Sequence, residues 1–472
     1  MKNDELPLDI EKIKETMSRR EALRVIGLSP IAAGLLLSTS PSSELEASVD
    51  VSGKIVIVGG GSGAIMALSR LVRAIKNPDI TIIAPNEIHL YQPGQVFVAA
   101  GKMKMEDLIL DNNDYINTDK VTWIKDEVAS FDAANNKLKT LSGEEVSYDY
   151  MVIATGVQYN YEEIEGLKIE DIGTNGISSV YLSDLAKGTA RGATVTWDWF
   201  NELKEASKKS KQKVIYTQPN TPIKCGGAPQ KMLYLSADYL KLDGLSADYY
   251  FVSSHDKLFH LPAIDEELHK TQDLYDKIEN KFRHHFKSID VKNKKATFIH
   301  AYEKEVYDED FGTTEKQSVS EEVVMDYDFI HIVPPMSPVD ALMKSDLISE
   351  MGWLDVDQYT LQHKKYPNVF GIGDVCGIPM GKTGGSARHH GPILTANVIS
   401  AMKHEELKKK FDGYTVCPLK TQYGKIIMAE FNYKGPAPTL PIAFEKPRWM
   451  WWAFDLYMLK PMYKYLMLTG RF

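Results

Sequence analysis

Cysteine is scarce in this sequence, and that scarcity excludes several classes of protein. Three cysteines in 472 residues are too few for a small scaffold held together by disulfides. None lies in a C-x-x-C spacing and the twelve histidines include no H-E-x-x-H motif, so no metal site is predicted. A net charge of -9 argues against a nucleic-acid partner, because neutralising phosphates requires a basic surface.

Long hydrophobic runs are also missing. The apolar stretch 25–37 is too short to span a bilayer comfortably. It follows Arg19-Arg20 and precedes a Ser/Pro-rich run that ends at Ala47, so residues 1–47 are predicted to be a twin-arginine signal peptide. This predicts an exported, peripheral (monotopic) protein on the periplasmic, outer face of the cytoplasmic membrane. The alternative is an amphipathic helix with two surface arginines.

A glycine-rich turn follows the first predicted strand, Lys54–Val58. It matches G-x-G-x-x-A at Gly59, Gly61 and Ala64, and Gly63 adds a further small residue. Such a turn lets a pyrophosphate approach the backbone and the N-terminus of the next helix. The sequence therefore predicts a dinucleotide site; the alternative is a glycine turn without a nucleotide.

The expected ribose partner is absent from the next strand. That strand usually ends in an acidic residue, and here it ends in Ala84. Asn86 and Glu87 are nearby polar substitutes, and we expect Asn86 to contact the cofactor.

Later strands extend the pattern to an α/β fold with two Rossmann-like domains. One strand ends in the loop Ala154-Thr155-Gly156, which is predicted to contact the cofactor, and the first pattern resumes at Tyr327–Val333. The first domain is thus predicted to be discontinuous. The predicted boundaries are 53–160 and 326–404 for the cofactor-binding domain, 161–325 for the inserted domain and 405–472 for the C-terminal region.

The inserted domain lacks a second glycine fingerprint. Flavoproteins that use a pyridine nucleotide carry one there, whereas the strand 213–217 leads here into a loop containing Cys225. Electrons are therefore predicted to come from a compound that reacts with a thiol rather than from NADH.

A second cofactor signature lies at Gly373-Asp374. A carboxylate at the end of a buried strand is suited to the ribityl hydroxyls of a flavin, so FAD is the predicted cofactor. Lys382 and Thr383 precede the following helix, whose N-terminus favours the negative charge of reduced flavin. Lys382 is predicted to add to that effect; the alternative is a surface lysine.

Two of the three cysteines lie in loops that follow predicted strands. Cys376 is two residues beyond Asp374, and Cys225 occupies the other loop, so these two are predicted to form a redox pair. The alternative for each is a small core residue. Cys417 lies away from both cofactor motifs and is interpreted as structural.

The C-terminal segment 445–472 is rich in aromatic residues and contains three of the seven tryptophans. Tryptophan, tyrosine and basic residues mixed with leucine and methionine are typical of a segment that lies in a membrane interface. The alternatives are a buried helix or a dimer contact, and the sequence is also compatible with a homo-oligomer.

Several stretches resemble the sulfide:quinone oxidoreductase family, most closely the subgroup with the mitochondrial enzyme. The resemblance covers residues 54–472 and is carried by Tyr91-Gln92-Pro93, 221–231, 333–338, 366–374, and 412–419.

The resemblance implies FAD, contacted also by Gln92 and Val128, and redox cysteines at Cys225 and Cys376. In the subgroup a cysteine directly follows the aspartate, whereas Val375 intervenes here. The hypothesis is a flavoprotein that oxidises sulfide to sulfane sulfur or polysulfide and reduces a membrane quinone. Hydrosulfide would open the bridged pair and leave a persulfide on Cys376; the sulfane-sulfur acceptor is left open.

Three other functions remain as alternatives at this point. They are the flavoprotein subunit of a flavocytochrome c sulfide dehydrogenase, an NADH:quinone oxidoreductase, and a non-catalytic flavin-binding sulfide sensor or sulfur carrier.

Overall fold

The computed structural model describes residues 48–185, 188–308 and 313–472. The predicted signal peptide, 1–47, lies outside the described residues.

A five-stranded parallel sheet forms the centre of the first domain. Its strands are short and rich in isoleucine and valine, and both faces are covered, as expected for a parallel sheet. In spatial order the strands are Val369–Gly371, Tyr150–Ile153, Lys54–Val58, Asp79–Ile83 and Thr122–Ile124.

A second five-stranded parallel sheet lies in the inserted region. The sequence places the strand in Tyr327–Val333 in the first domain, but Phe329–His331 pairs with Lys213–Gln218 in this second sheet. The chain therefore returns to the first sheet only after this strand. In spatial order the strands are Ile177–Ser178, Phe329–His331, Lys213–Gln218, Asp248–Ser253 and Ile278–Lys281.

Smaller antiparallel sheets surround the two parallel sheets. Three have three strands: Val128–Asp132, Lys137–Thr140 and Glu145–Ser147; His284–Asp290, Lys295–Asp308 and Thr313–Asp326; and Thr415–Gln422, Lys425–Asn432 and Gly435–Pro436. The two-stranded pairs are Ile88–Leu90 with Ile109–Asp111, Gln158–Tyr159 with Met336–Ser337, and Ser183–Asp184 with Thr189–Ala190.

The helices cover the sheets and form the C-terminal region. They are Ser62–Ala74, Gln95–Ala99, Gly192–Ser207, Ala228–Lys241, Pro262–Gln272, Asp340–Met343, Gly384–Met402, Trp449–Tyr457 and Leu459–Met462, followed by a π-helical turn at Tyr463–Met467. Within the described part of the chain, none of them has the length and apolarity needed to cross a membrane.

One hydrophobic core joins the inserted domain to the C-terminal region. The helix Ala228–Lys241 packs against the strand Thr415–Gln422, and the helix Trp449–Tyr457 packs on the same antiparallel sheet. Buried Phe97, Met232 and Trp452 belong to this core. This packing brings segments almost 200 residues apart to one place and positions the candidate site.

Candidate active site

The glycine-rich turn has the shape that a bound pyrophosphate requires. Gly59 has a φ of 123°, and a Cβ there would collide with the carbonyl group of Ala154. A Cβ on Gly61 would meet nothing within 4 Å, so the space beside the turn is open. Gly63 and Ala64 lie in the first turn of the helix Ser62–Ala74, whose free N–H groups suit an anion.

Two asparagines support this turn from behind. The side-chain amide of Asn86 donates to the carbonyl of Gly60 at 3.1 Å, and that of Asn112 donates to the same carbonyl at 3.1 Å. Asn112 was missed by sequence reasoning, because its role depends on where the chain returns. Glu87 forms an ion pair with Lys125, and ribose recognition stays a prediction.

Two further loops complete the cradle. Thr155 has a buried hydroxyl without a partner in the described structure, between Ala154 and Gly156, which has a φ of 66°. Gly373 has a φ of 78°, and a Cβ there would meet nothing within 4 Å. An orphaned hydroxyl and two open glycine positions fit a dinucleotide that supplies the missing contacts.

The remaining predicted cofactor residues lie around these loops. Thr383 caps the helix Gly384–Met402 by accepting from the N–H of Ser386 at 3.2 Å. The ammonium group of Lys382 points inward and donates to the backbone carbonyl of Asp374 at 2.6 Å, and burial lowers its pKa to about 8. Gln92 lies in an exposed turn and Val128 begins a partly buried strand; their contacts with the cofactor remain predictions.

Cys225 lies in the loop between the strand Lys213–Gln218 and the helix Ala228–Lys241. Its φ of 58° is in the left-handed region, which is uncommon for a residue with a side chain and is found at functional sites. Its N–H donates to the carbonyl of Lys382 at 2.8 Å, which ties this loop to the segment beside Asp374. The cysteine is therefore held next to the predicted flavin signature.

Cys417 is the sulfur partner of Cys225 in the structure. The two sulfur atoms are 3.9 Å apart, and the ammonium group of Lys231 lies 2.8 Å from the sulfur of Cys225. The hydrogen bond from Cys417 and the positive charge of Lys231 lower the pKa of the Cys225 thiol well below its ordinary value. The same hydrogen bond and burial raise the pKa of Cys417. Cys225 is thus poised as the thiolate of the pair.

Cys376 is placed differently from the sequence-based prediction. It is fully buried in a separate hydrophobic cluster with Leu354 and Val356, and its sulfur would lie 3.0 Å from a Cβ added at Gly371. Burial raises the pKa of its thiol to about 12. The structure therefore does not assemble Cys225 with Cys376, because Cys376 turns into the core of the first domain while the strand Thr415–Gln422 delivers Cys417.

One family model and one solved structure are consistent with this geometry. Residues 53–191 match the family model described as pyridine nucleotide-disulphide oxidoreductase. The fold is similar to the solved structure of the sulfide:quinone oxidoreductase from Aquifex aeolicus, with a TM-score of 0.66, 20% identity and coverage of 89% of this chain and 92% of that one. Two Rossmann-like domains around a dinucleotide cradle and a thiol define a flavoprotein oxidoreductase, and the predicted α/β fold class is confirmed.

Two relatives identify the family within the flavoprotein oxidoreductases. The chain is 34% identical to the mitochondrial sulfide:quinone oxidoreductase of Mus musculus over 88% of this chain and 86% of that protein. It is 36% identical to the mitochondrial sulfide:quinone oxidoreductase of Dictyostelium discoideum, over 80% and 78%. The chain belongs to the sulfide:quinone oxidoreductase family, as the sequence resemblance indicated, and its cofactor is FAD.

The predicted localisation is wrong. We expected twin-arginine export to the periplasmic face of the cytoplasmic membrane, but the relatives that match most of the chain are mitochondrial enzymes. A twin-arginine pattern is a short local signal, whereas the relatives match over several hundred residues.

Proposed function

We propose that this protein oxidises sulfide with Cys225 and Cys417 and passes two electrons through FAD to a quinone. The observation that carries this proposal is the 3.9 Å approach of the two sulfur atoms, with Lys231 at 2.8 Å from one of them. A disulfide requires about 2.05 Å between sulfurs, so a small closing movement would join them. This pair replaces the pair of Cys225 and Cys376 that was expected from sequence.

The environments of the two sulfurs support different roles for them. Hydrosulfide attacks the bridged pair at Cys417, the bond between the two cysteine sulfurs breaks, and a new sulfur–sulfur bond leaves a persulfide on Cys417. Cys225 departs as the thiolate, because Lys231 stabilises its negative charge and a thiol of lower pKa leaves faster. Transfer of the outer sulfur to an acceptor leaves two thiols. Closing them again to a disulfide releases two electrons and two protons.

The residues of the cradle would hold the cofactor near the cysteine pair. FAD, when bound, accepts the two electrons from the cysteine pair and delivers them to the quinone. The Cys225 loop is tied to Lys382 through its backbone, and Lys382 in turn holds the carbonyl of Asp374. These hydrogen bonds connect the loop of the proposed reactive thiol to the flavin signature.

The C-terminal region supports attachment to a membrane surface, where a quinone resides. Trp449, Tyr457 and Tyr465 are 69%, 41% and 58% exposed, while Trp451 and Trp452 on the same segment are buried. Exposed aromatic residues next to Lys460 and Lys464 suit the membrane interface. A homo-oligomer that covers these side chains is the competing outcome.

Liposome binding tests the attachment. Full-length holoprotein should co-sediment with anionic phospholipid vesicles, and Trp449→Ala with Tyr465→Ala should weaken that binding several-fold. Leu242→Ala, which removes a 68% exposed apolar side chain elsewhere, is the matched control. Equal binding by all three proteins contradicts the membrane role of the tail.

Anaerobic titration with sulfide tests the redox pair. In the purified holoprotein sulfide should bleach the flavin absorbance, and added soluble quinone should restore it. Cys225→Ser and Cys417→Ser should each abolish the bleaching, whereas Cys376→Ala should retain it. Normal bleaching in Cys417→Ser, or its loss in Cys376→Ala, would return the pairing to the one expected from sequence.

A further inference from the structure

A buried ion pair lies beside the cysteine pair and has no part in the proposed reaction. Lys420 lies on the strand that carries Cys417, and its ammonium group pairs with the carboxylate of Asp455. The two side chains are only 2% and 1% exposed. Charges this deeply buried cost several kcal/mol each to desolvate, so a pair is kept buried only if its partners are well matched.

Asp455 brings a negative charge close to Lys231. It lies on the helix Trp449–Tyr457, which packs on the same antiparallel sheet as the helix that carries Lys231. One carboxylate oxygen, Oδ1, is buried without a hydrogen-bond partner among the described residues. Burial would lower the pKa of Lys231, but Cys225, Cys417 and Asp455 together raise it. Asp455 is therefore a second anion that acts electrostatically on the ammonium group of Lys231.

We propose that Lys420 is a positioning residue for the redox thiol. By forming an ion pair with Asp455, it keeps the ammonium group of Lys231 in contact with the sulfur of Cys225. The ammonium group of Lys231 has three N–H donors, and two anions compete for it: the Cys225 thiolate and the Asp455 carboxylate. Lys420 neutralises the carboxylate, so the charge of Lys231 remains directed at the sulfur, 2.8 Å away. This inference rests on the proposed function, since it concerns the thiolate of the proposed pair.

Other charged groups face Cys225 but do not compete in the same way. Lys224 and Asp374 interact with it from the loop and from the flavin signature, and Tyr181 from the inserted domain. Lys420 itself also acts on Cys225, and its positive charge contributes to lowering the pKa of that thiol. Only Asp455 reaches the cluster from the C-terminal helix, and only Lys420 pairs with it among the described residues.

Peptide-level alkylation of Cys225 tests this inference without sulfide or quinone. Reduced holoprotein is treated with iodoacetamide across a range of pH, and labelling of each cysteine is followed by mass spectrometry. In Lys420→Met the freed Asp455 should draw Lys231 away, and Cys225 should be labelled about tenfold more slowly at neutral pH, which corresponds to about one pKa unit. In Asp455→Asn alone, the rate at which Cys225 is labelled should stay within threefold of the rate in the parent.

The decisive variant combines both changes. In Lys420→Met/Asp455→Asn the competing anion is gone, so labelling should return to within threefold of the parent. A purely structural role predicts the opposite, because the second substitution would add to the damage. Lys446→Met is the matched control: it removes a 2.7 Å ion pair with Glu267 that also joins the C-terminal region to the body.

Each outcome decides the inference. Slow labelling in the double variant, or parent-like labelling in Lys420→Met, overturns it. If Lys420→Met does not fold, the double variant decides alone, since parent-like labelling supports the inference and slow labelling contradicts it. Failure of the proposed function is distinguishable, because it is measured as flavin bleaching by sulfide and not as labelling.

Discussion

Cys225 and Cys376 each follow a strand of one of the two parallel sheets, yet their surroundings have opposite effects on a thiol. Cys225 is partly exposed in the loop that precedes a helix, with a lysine ammonium group 2.8 Å from its sulfur. Cys376 is fully buried among leucine and valine side chains. A position after a strand therefore does not make a thiol reactive. A nearby positive charge and exposure to solvent make it reactive.

The largest expected difference between the two cysteines is their rate of alkylation. At pH 8 the thiol of Cys376, with a pKa raised to about 12, is ionised to roughly one part in 10⁴. Cys225 has a lowered pKa, so its thiolate is present above that value and is lost only as the pH falls through it. Iodoacetamide at pH 8 should label Cys225 more than about 10³-fold faster. Comparable alkylation rates for Cys225 and Cys376 in the native holoprotein would show that their surroundings do not make the two thiols differ in reactivity.

Replacement of Cys417 by serine should give the next largest effect. A serine cannot form the disulfide that stores the two oxidising equivalents, so sulfide-dependent turnover should fall by at least about 100-fold, or about 2.7 kcal/mol in the barrier. Steady-state reduction of a soluble quinone measures this change. Cys417→Ser with turnover near that of the parent would show that Cys225 uses a different partner.

Loss of the charge at Lys231 should have an intermediate effect. In Lys231→Met the thiolate of Cys225 loses its cation, and the pH midpoint of labelling should move upward by about one unit, with turnover about tenfold lower at neutral pH. Lys241→Met removes an exposed lysine from the same helix and should change neither quantity. An unchanged midpoint in Lys231→Met would contradict the role assigned to this lysine.

The smallest expected effect concerns Cys376. Its sulfur fills space in a packed core, so Cys376→Ala should lower the free energy of unfolding by about 1–2 kcal/mol while sulfide turnover changes less than twofold. Denaturant unfolding of the holoprotein and the quinone assay measure the two quantities. A large loss of turnover without a loss of stability would give Cys376 a role in catalysis.

Sequence patterns were sufficient where the structure depends on neighbouring residues. The strand, glycine turn and helix from Lys54 to Ala74 lie within about 20 residues, and each residue type has a local reason to be there. The same holds for the Cys225 loop, which stands where a second fingerprint would be. The family, the fold class and FAD were predicted correctly from such stretches.

Long-range packing sets which sulfur faces Cys225. In sequence Cys376 is two residues from the flavin aspartate, whereas Cys417 lies far from both cofactor motifs although it falls in the family-like stretch 412–419, so proximity along the chain favoured Cys376. The strand Thr415–Gln422 packs across the helix that follows Cys225, and this contact joins residues 192 positions apart. The same long-range packing brings Lys420 and Asp455 close to the two cysteines. Local patterns were enough to predict the family and the cofactor, and they singled out Cys225 as the candidate thiol. The sulfur that faces Cys225 and the charges around it depend on long-range packing, which no local pattern encodes.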